Sequence, residues 1–315
     1  MKTMKWLIKR EMWENKGMLL WTPVVIAVAV AVLALASIFL GKSGNFEVQG
    51  HNIGSVTIEG KMRAQIAEMM AQAYVGAGMP VLMVLSLLVF FYCLNALHDE
   101  RRDRSLLFWK SLPVSDFTTV MSKLLLAVVV APLIAMGIAI VLGLVILLAA
   151  CVMLAMHGTN MFGAVLAQPD FYLTPLRLVG LLPVYALWAL PTVGWLLMVS
   201  SMARSKVFLW AVGTPVITTL LMLWAEKALH LGFDTGWFAS NVTSRLLLSV
   251  VPGSWLSAPP HNAMAEAAAH RMAVPEVIFN ESWSSLGNAS MWAGVVAGVA
   301  MIAITVYVRR RREEV

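Results

Sequence analysis

Charge is scarce in this sequence. Of 315 residues only 13% are Asp, Glu, Lys or Arg, while 60% are hydrophobic. Soluble domains carry about 25% charged and 45–50% apolar residues, so a water-soluble core of this size would need a charged shell that the chain does not have. The composition excludes an ordinary soluble protein and indicates a polytopic membrane protein. Cysteine is scarcer still. Cys93 and Cys151 both lie in apolar runs and read as small buried hydrophobes. They offer neither a disulfide framework nor a metal-ligand spacing. A net charge of +6 does not indicate a nucleic-acid binder, because the basic residues flank apolar runs rather than forming a basic domain.

Catalytic signatures are also missing. The sequence holds no HExxH, no GxSxG and no P-loop. Its six histidines are scattered outside the apolar runs. No catalytic, cofactor-binding or metal-ligating residue is therefore assigned, and the chain reads as a non-enzyme. "NVT" at Asn241, "NES" at Asn280 and "NAS" at Asn288 match the glycosylation pattern, and chance is the default reading of each.

What is present is length of apolar run. About 20 apolar residues cross about 30 Å of hydrocarbon. Six segments qualify: Leu19–Gly41, Ala77–Leu97, Leu124–Met156, Leu178–Met202, Val207–Ala225 and Ala289–Val308. None contains Asp, Glu, Lys, Arg or His. The third is long for one crossing and holds Pro132; kinking, strong tilt and extension beyond the bilayer all remain open for it. "MKTMKWLIKREMWENKG" is too charged and too long ahead of its apolar run for a cleaved signal peptide, so the first run reads as a retained span. Sixteen of the 23 Lys and Arg residues fall on the side that holds both termini and the segment 98–123. The positive-inside rule makes that side the cytoplasm.

The expected fold is all-α, divided into an interfacial helix 1–18, a six-span body 19–308 with outer segments 42–76, 157–177 and 226–288, and a tail 309–315. In the N-terminal helix Met1, Met4, Leu7, Ile8 and Met12 form an apolar arc beside Lys2, Lys5, Lys9 and Lys16, with Trp6 and Trp13 seven residues apart. Glu11 falls within the apolar arc and Glu14 at its edge. Each would meet a basic partner surface or pair with a Lys one turn away. On the outer side Met62, Ile66, Met69, Met70 and Ala73 share a helical face, Thr243–Pro260 is apolar but too short to cross, and His261–Ala273 reads as a helix. Five spans hold proline, a source of kinks. Gly294 and Gly298 form a GxxxG packing surface in the sixth.

No span carries the buried charge on which ion-coupled transporters and proton relays generally rely. Ion coupling through unwound backbone carbonyls stays open, but the energy for uphill transport would enter most simply from outside the membrane body. One segment is built to receive it. "HDERRDRSLLFWKSLPVSD" (His98–Asp116) reads as a helix with charge first, then Leu106, Leu107, Phe108, Trp109 and Leu112, ended by Pro113; Ser115 can cap the next helix. Exposed Phe, Trp and Leu beside Arg are interface types, although a helix lying on the membrane surface would use the same residues.

In this layout the chain resembles the ABC type 2 transporter permease family. Glu100, Arg101, Ser105, Leu106, Leu112, Pro113, Val114, Ser115 and Lys123 carry the match, and "KREMWENKGMLLWTP" (Lys9–Pro23) is similar to the family's segment before its first span. The resemblance implies a membrane subunit of an ATP-driven exporter in a bacterial cytoplasmic membrane, half of a pathway completed by a second copy or a related chain. It implies two ATP-binding partner subunits that hold ATP and Mg. The coupling helix would dock there through Glu100, Arg101, Arg102, Arg104, Leu106, Leu107, Phe108, Trp109, Lys110, Leu112 and Pro113. An amphiphile, peptide or drug-like compound suits an apolar conduit. The rival readings are an ion-coupled transporter or channel, a mechanical or assembly-type membrane protein, and an intramembrane enzyme.

Overall fold

The computed structural model describes residues 2–40, 47–48, 51–52, 60–102, 115–230, 232, 234–257 and 274–311. Six of its helical runs are long and apolar enough to cross a membrane: Gly17–Leu40, Lys61–Glu100, Asp116–Met156, Pro169–Met202, Val207–Leu229 and Ala289–Arg311. The protein is a multi-pass integral membrane protein with an all-α body. Its one sheet among the described residues pairs two-residue strands, β1 (Glu47–Val48) and β2 (His51–Asn52).

The chain begins with α1 (Lys2–Glu14), which meets span one, α2 (Thr22–Leu40), through a π-helical turn at Gly17–Trp21. Span two is α4 (Met79–Asn95), preceded by α3 (Lys61–Ala73) and a 3-10 turn at Tyr74–Gly78. A short α5 (His98–Arg102) follows. Span three is built from α6 (Asp116–Leu125), a second π-helical turn at Leu126–Val130, and α7 (Ala131–Met156). Both π turns end just before a proline, Pro23 or Pro132. A proline ring clashes with the carbonyl four residues back and supplies no N–H, and the widened turn absorbs both defects. Pro80 and Pro183 stand in the first turn of α4 and of α10; Pro191 and Pro215 lie inside helices.

After α8 (Phe162–Leu166) and α9 (Pro169–Gly180), span four is α10 (Leu182–Met202). It is the centre of the bundle: Val184, Tyr185, Val193, Leu196 and Leu197 are all buried. Span five, α11 (Val207–Leu229), is tied to it by the Trp195 indole, which donates to the Ala211 carbonyl at 2.9 Å. Then come α12 (Thr235–Phe238), a π-helical turn at Ala239–Thr243, α13 (Ser244–Leu248), α14 (Val274–Ser284) and span six, α15 (Ala289–Arg311).

The structure revises one expectation and adds detail to two others. The helix at 61–73 forms over the expected residues and runs on toward span two through the 3-10 turn, but only part of its expected face, Met62, Ile66 and Met70, packs inward. It buries Ile66, Ala67 and Ala71, with Met70 packed beside them, and leaves Met69 and Ala73 exposed. The face is turned because the helix docks on protein, against Met161, Val165, Leu147 and Cys151. The long third run extends past the bundle, and its far end fills that same small core. The segment 239–248 lies along span four, where the Thr192 hydroxyl donates to the Arg245 carbonyl at 2.7 Å. The expected helix His261–Ala273 lies outside the described residues.

Candidate functional site

At the face of the bundle that bears both chain ends, five charges meet out of water. Glu11 comes from α1, Glu100 from α5, Asp116 and Lys123 from α6, and Arg309 from α15. Lys123 Nζ lies 2.9 Å from Glu11 Oε1 and 2.9 Å from Glu100 Oε1. Arg309 donates to Glu100 Oε2 at 2.8 Å and to Asp116 Oδ1 at 2.7 Å. The Tyr92 hydroxyl closes the other end, donating to Glu11 Oε2 at 3.3 Å. The side chains of Glu11 and Lys123 are each only 3% exposed. Signs alternate along the whole row, so each charge faces an opposite one. That arrangement is what lets charges stand in a low-dielectric place, since an unpaired buried ion is strongly unfavourable.

Local sequence positions each member. In α1 the inward face runs Leu7, Ile8, Glu11 and Met12, so the one carboxylate set in an apolar arc is delivered to the core. α6 is capped as its sequence requires: the Ser115 side chain accepts from the Thr118 N–H. That cap fixes where Asp116 and Lys123 stand, two turns apart on one helix. The α4–α5 junction is held from span four, where the Ser200 hydroxyl oxygen accepts from the N–H groups of Leu97 and His98 at 3.2 and 3.0 Å. Arg309 ends the apolar stretch of span six.

A cavity of about 600 Å³ opens beside the row. Glu11, Glu100, Lys123 and Tyr92 line it, together with Arg10 and Asn95. The mechanical consequence concerns the chain segment 103–114. Glu100 precedes it, Asp116 follows it, and both are held by the single guanidinium of Arg309. The base of that segment is thus clamped to span six, and through Lys123 to α1.

Of the expected site residues, Glu100 lies inward in this row, with its carboxylate toward Lys123 and Arg309. Arg101 and Arg102 belong to α5. Arg104, Leu106, Leu107, Phe108, Trp109, Lys110, Leu112 and Pro113 lie outside the described residues. Glu11 pairs within the chain with Lys123, across 112 positions, rather than with a Lys one turn away. Glu14 makes the one-turn pair, with Arg10 at 2.7 Å. Trp6 and Trp13 are exposed, and Lys9 and Lys16 sit over their rings at 5.3 and 5.6 Å. Gly294 and Gly298 lie where span six crosses span four. A Cβ on Gly298 would come within 2.8 Å of the Leu190 carbonyl, and one on Gly194 within 2.7 Å of the Gly298 oxygen.

Asp116, Lys123 and Arg309 as ion partners, and Tyr92, are additions to what sequence reasoning assigned. The available signal was a carboxylate on an apolar helical arc together with a lysine at the lip of a charge-free span. Comparisons with protein-family models, with curated proteins and with solved structures find no match to this chain.

Proposed function

We propose that this protein is the membrane permease subunit of an ATP-driven exporter, worked by a separate ATP-binding subunit that docks on segment 98–116. Both termini then face the cytoplasm, in a bacterial inner membrane. Two such chains, or this one with a related one, line the pathway, and the cargo is an amphiphile, peptide or drug-like compound. The observation that carries the reading is the clamp. A push on the segment between Glu100 and Asp116 is received by Arg309 and Lys123, hence by span six, span three and α1 together. A loop that only joined two spans would not need a buried row of five charges at its base.

The spans would alternate between two arrangements, and the nucleotide must favour one of them. Shifting a population from 1:99 to 99:1 requires about 5.5 kcal/mol of differential binding. A buried ion row couples the segment to the helices because pulling its charges apart would leave each of them unpaired in a low-dielectric place, so the segment and the helices move as one body. In this reading Trp109 and Phe108 anchor in the partner, and Arg101, Arg102 and Arg104 orient it by charge.

The test is purification of the tagged chain from its native membranes in mild detergent. An ATP-binding subunit, recognised by its P-loop peptide in mass spectrometry, is expected in near-equal amount with the wild-type chain and depleted with the Trp109→Ala, Phe108→Ala double variant. Absence of such a subunit from the wild-type preparation, or its full retention by the double variant, would overturn the docking assignment.

A further inference from the structure

The far face of the bundle holds a cation of a different kind. Arg245, on α13, reaches between spans four and six. One terminal nitrogen donates to the Ser290 carbonyl and the other to the Ser290 hydroxyl at 3.1 Å. The guanidinium carbon lies 4.7 Å from the centre of the Trp188 ring. That ring is itself fixed, its indole N–H donating to Ser285 Oγ at 3.2 Å. Gly294 makes the room: a Cβ there would stand 2.9 Å from an Arg245 terminal nitrogen. The seat is built by α10 and α15 around one side chain of α13, with Ser285 holding the ring in place.

The seat is also incomplete. A guanidinium has five N–H donors, and two are used here. Arg245 is half-buried and has no carboxylate partner among the described residues. Lys123, Arg177 and Arg309, by contrast, each pair with two carboxylates. Burial lowers the Arg245 pKa from its ordinary value, and the group still carries its charge at neutral pH. A cation drawn out of water without an anion is costly, and the described residues of this face supply Arg245 with no counter-charge.

Depth says what can supply it. Ser290 and Arg309 stand on one helix, 19 residues apart, which is about 28 Å at 1.5 Å per residue and close to the thickness of the hydrocarbon layer. Arg309 ends the span at one face, so Arg245, bonded to Ser290, stands at the headgroup level of the other. Trp292, two residues from Ser290 on the same helix, is exposed there, as aromatic residues are at a membrane boundary.

We propose that Arg245, with Ser290 and Trp188, binds the oxyanion of an anionic amphiphile at the far face, a phosphate monoanion being the fitting chemistry. Planar guanidinium donors match a phosphate edge through two parallel bonds, and the ring beneath holds the fork flat. The site stands whether or not the chain is an exporter subunit.

The experiment follows the reaction of Arg245 with phenylglyoxal, read on its own peptide by mass spectrometry, in the full wild-type chain held in maltoside micelles. Dioleoylphosphatidylglycerol is added to one sample, dioleoylglycerol, with the same tails and no phosphate, to a second, and inorganic phosphate to a third. The phosphatidylglycerol sample should show Arg245 modified about tenfold more slowly, the equivalent of one charge-assisted hydrogen bond, with dioleoylglycerol inert. Protection by inorganic phosphate as well would assign the site to free oxyanions; protection by the lipid alone assigns it to a headgroup. Gly294→Val, which fills the seat but keeps the arginine, should abolish the protection. Equal reactivity of Arg245 in all three wild-type samples overturns the proposal without recourse to any variant.

Discussion

Lys123 is the residue on which the buried row turns, because it alone joins the carboxylate of α1 to that of α5. Lys123→Met leaves Glu11 with only the tyrosine hydroxyl and Glu100 with Arg309. Removing one partner of a buried ion pair costs about 3–5 kcal/mol, so the variant in detergent should melt well below the wild type. Adding Glu11→Gln removes the carboxylate left stranded. The double variant should therefore recover part of the loss rather than add to it, as coupled neighbours do. Additive losses in thermal melts would mean that Glu11 and Lys123 do not share their pairing energy. At this scale the sequence was half legible. Glu11 stood out as a carboxylate on an apolar arc, but its partner lies 112 positions away, and no periodicity within one helix reaches that far. Glu100 was read with the charges around it as part of an exposed helix, since composition alone does not say which charge of a cluster turns inward.

At the scale of elements, close approach of backbones decides the packing. Gly298 and Gly194 let span six cross span four with nothing between them, and a methyl on Gly298 would have to displace the Leu190 carbonyl. Gly298→Ala should destabilise by about 1–3 kcal/mol, the usual effect of overpacking. Gly137, in span three, has no atom within 4 Å of where its Cβ would stand. Gly137→Ala should be neutral or stabilising by up to about 1 kcal/mol, the helix-propensity difference. Thermal melts of the pair check both, and a similar response from each would contradict the crossing geometry. The GxxxG pair and the six apolar runs were visible in the sequence because each is a local pattern. The Tyr74–Gly78 turn was not: its tightness comes from Ala139 and Gly143 of α7, against which Gly78 and Tyr74 lie, and that contact is tertiary. The face of α3 was misjudged for the same reason, since a helix that docks on protein need not present its most apolar stripe to lipid.

For the whole molecule, the proposed six crossings would put Lys16 and Arg311 on one side and α3, α9 and α14 on the other. Single cysteines introduced at Lys16 and Arg311 should react with an impermeant maleimide from one side of sealed vesicles, and those at Lys61 and Tyr172 from the opposite side. The native thiols are buried, so the background should be low. Labelling of Lys16→Cys and Arg311→Cys from opposite sides would require an odd number of crossings. The larger claim is the proposal that the body is driven by a partner through the segment clamped by Arg309. The most direct measurement places a photo-crosslinking phenylalanine analogue at Trp109 in the full-length chain and irradiates native membranes. The account predicts a covalent adduct with a P-loop-bearing ATP-binding subunit, in a yield that changes when ATP and vanadate are added; adducts with lipid alone, or a yield blind to nucleotide, would contradict it.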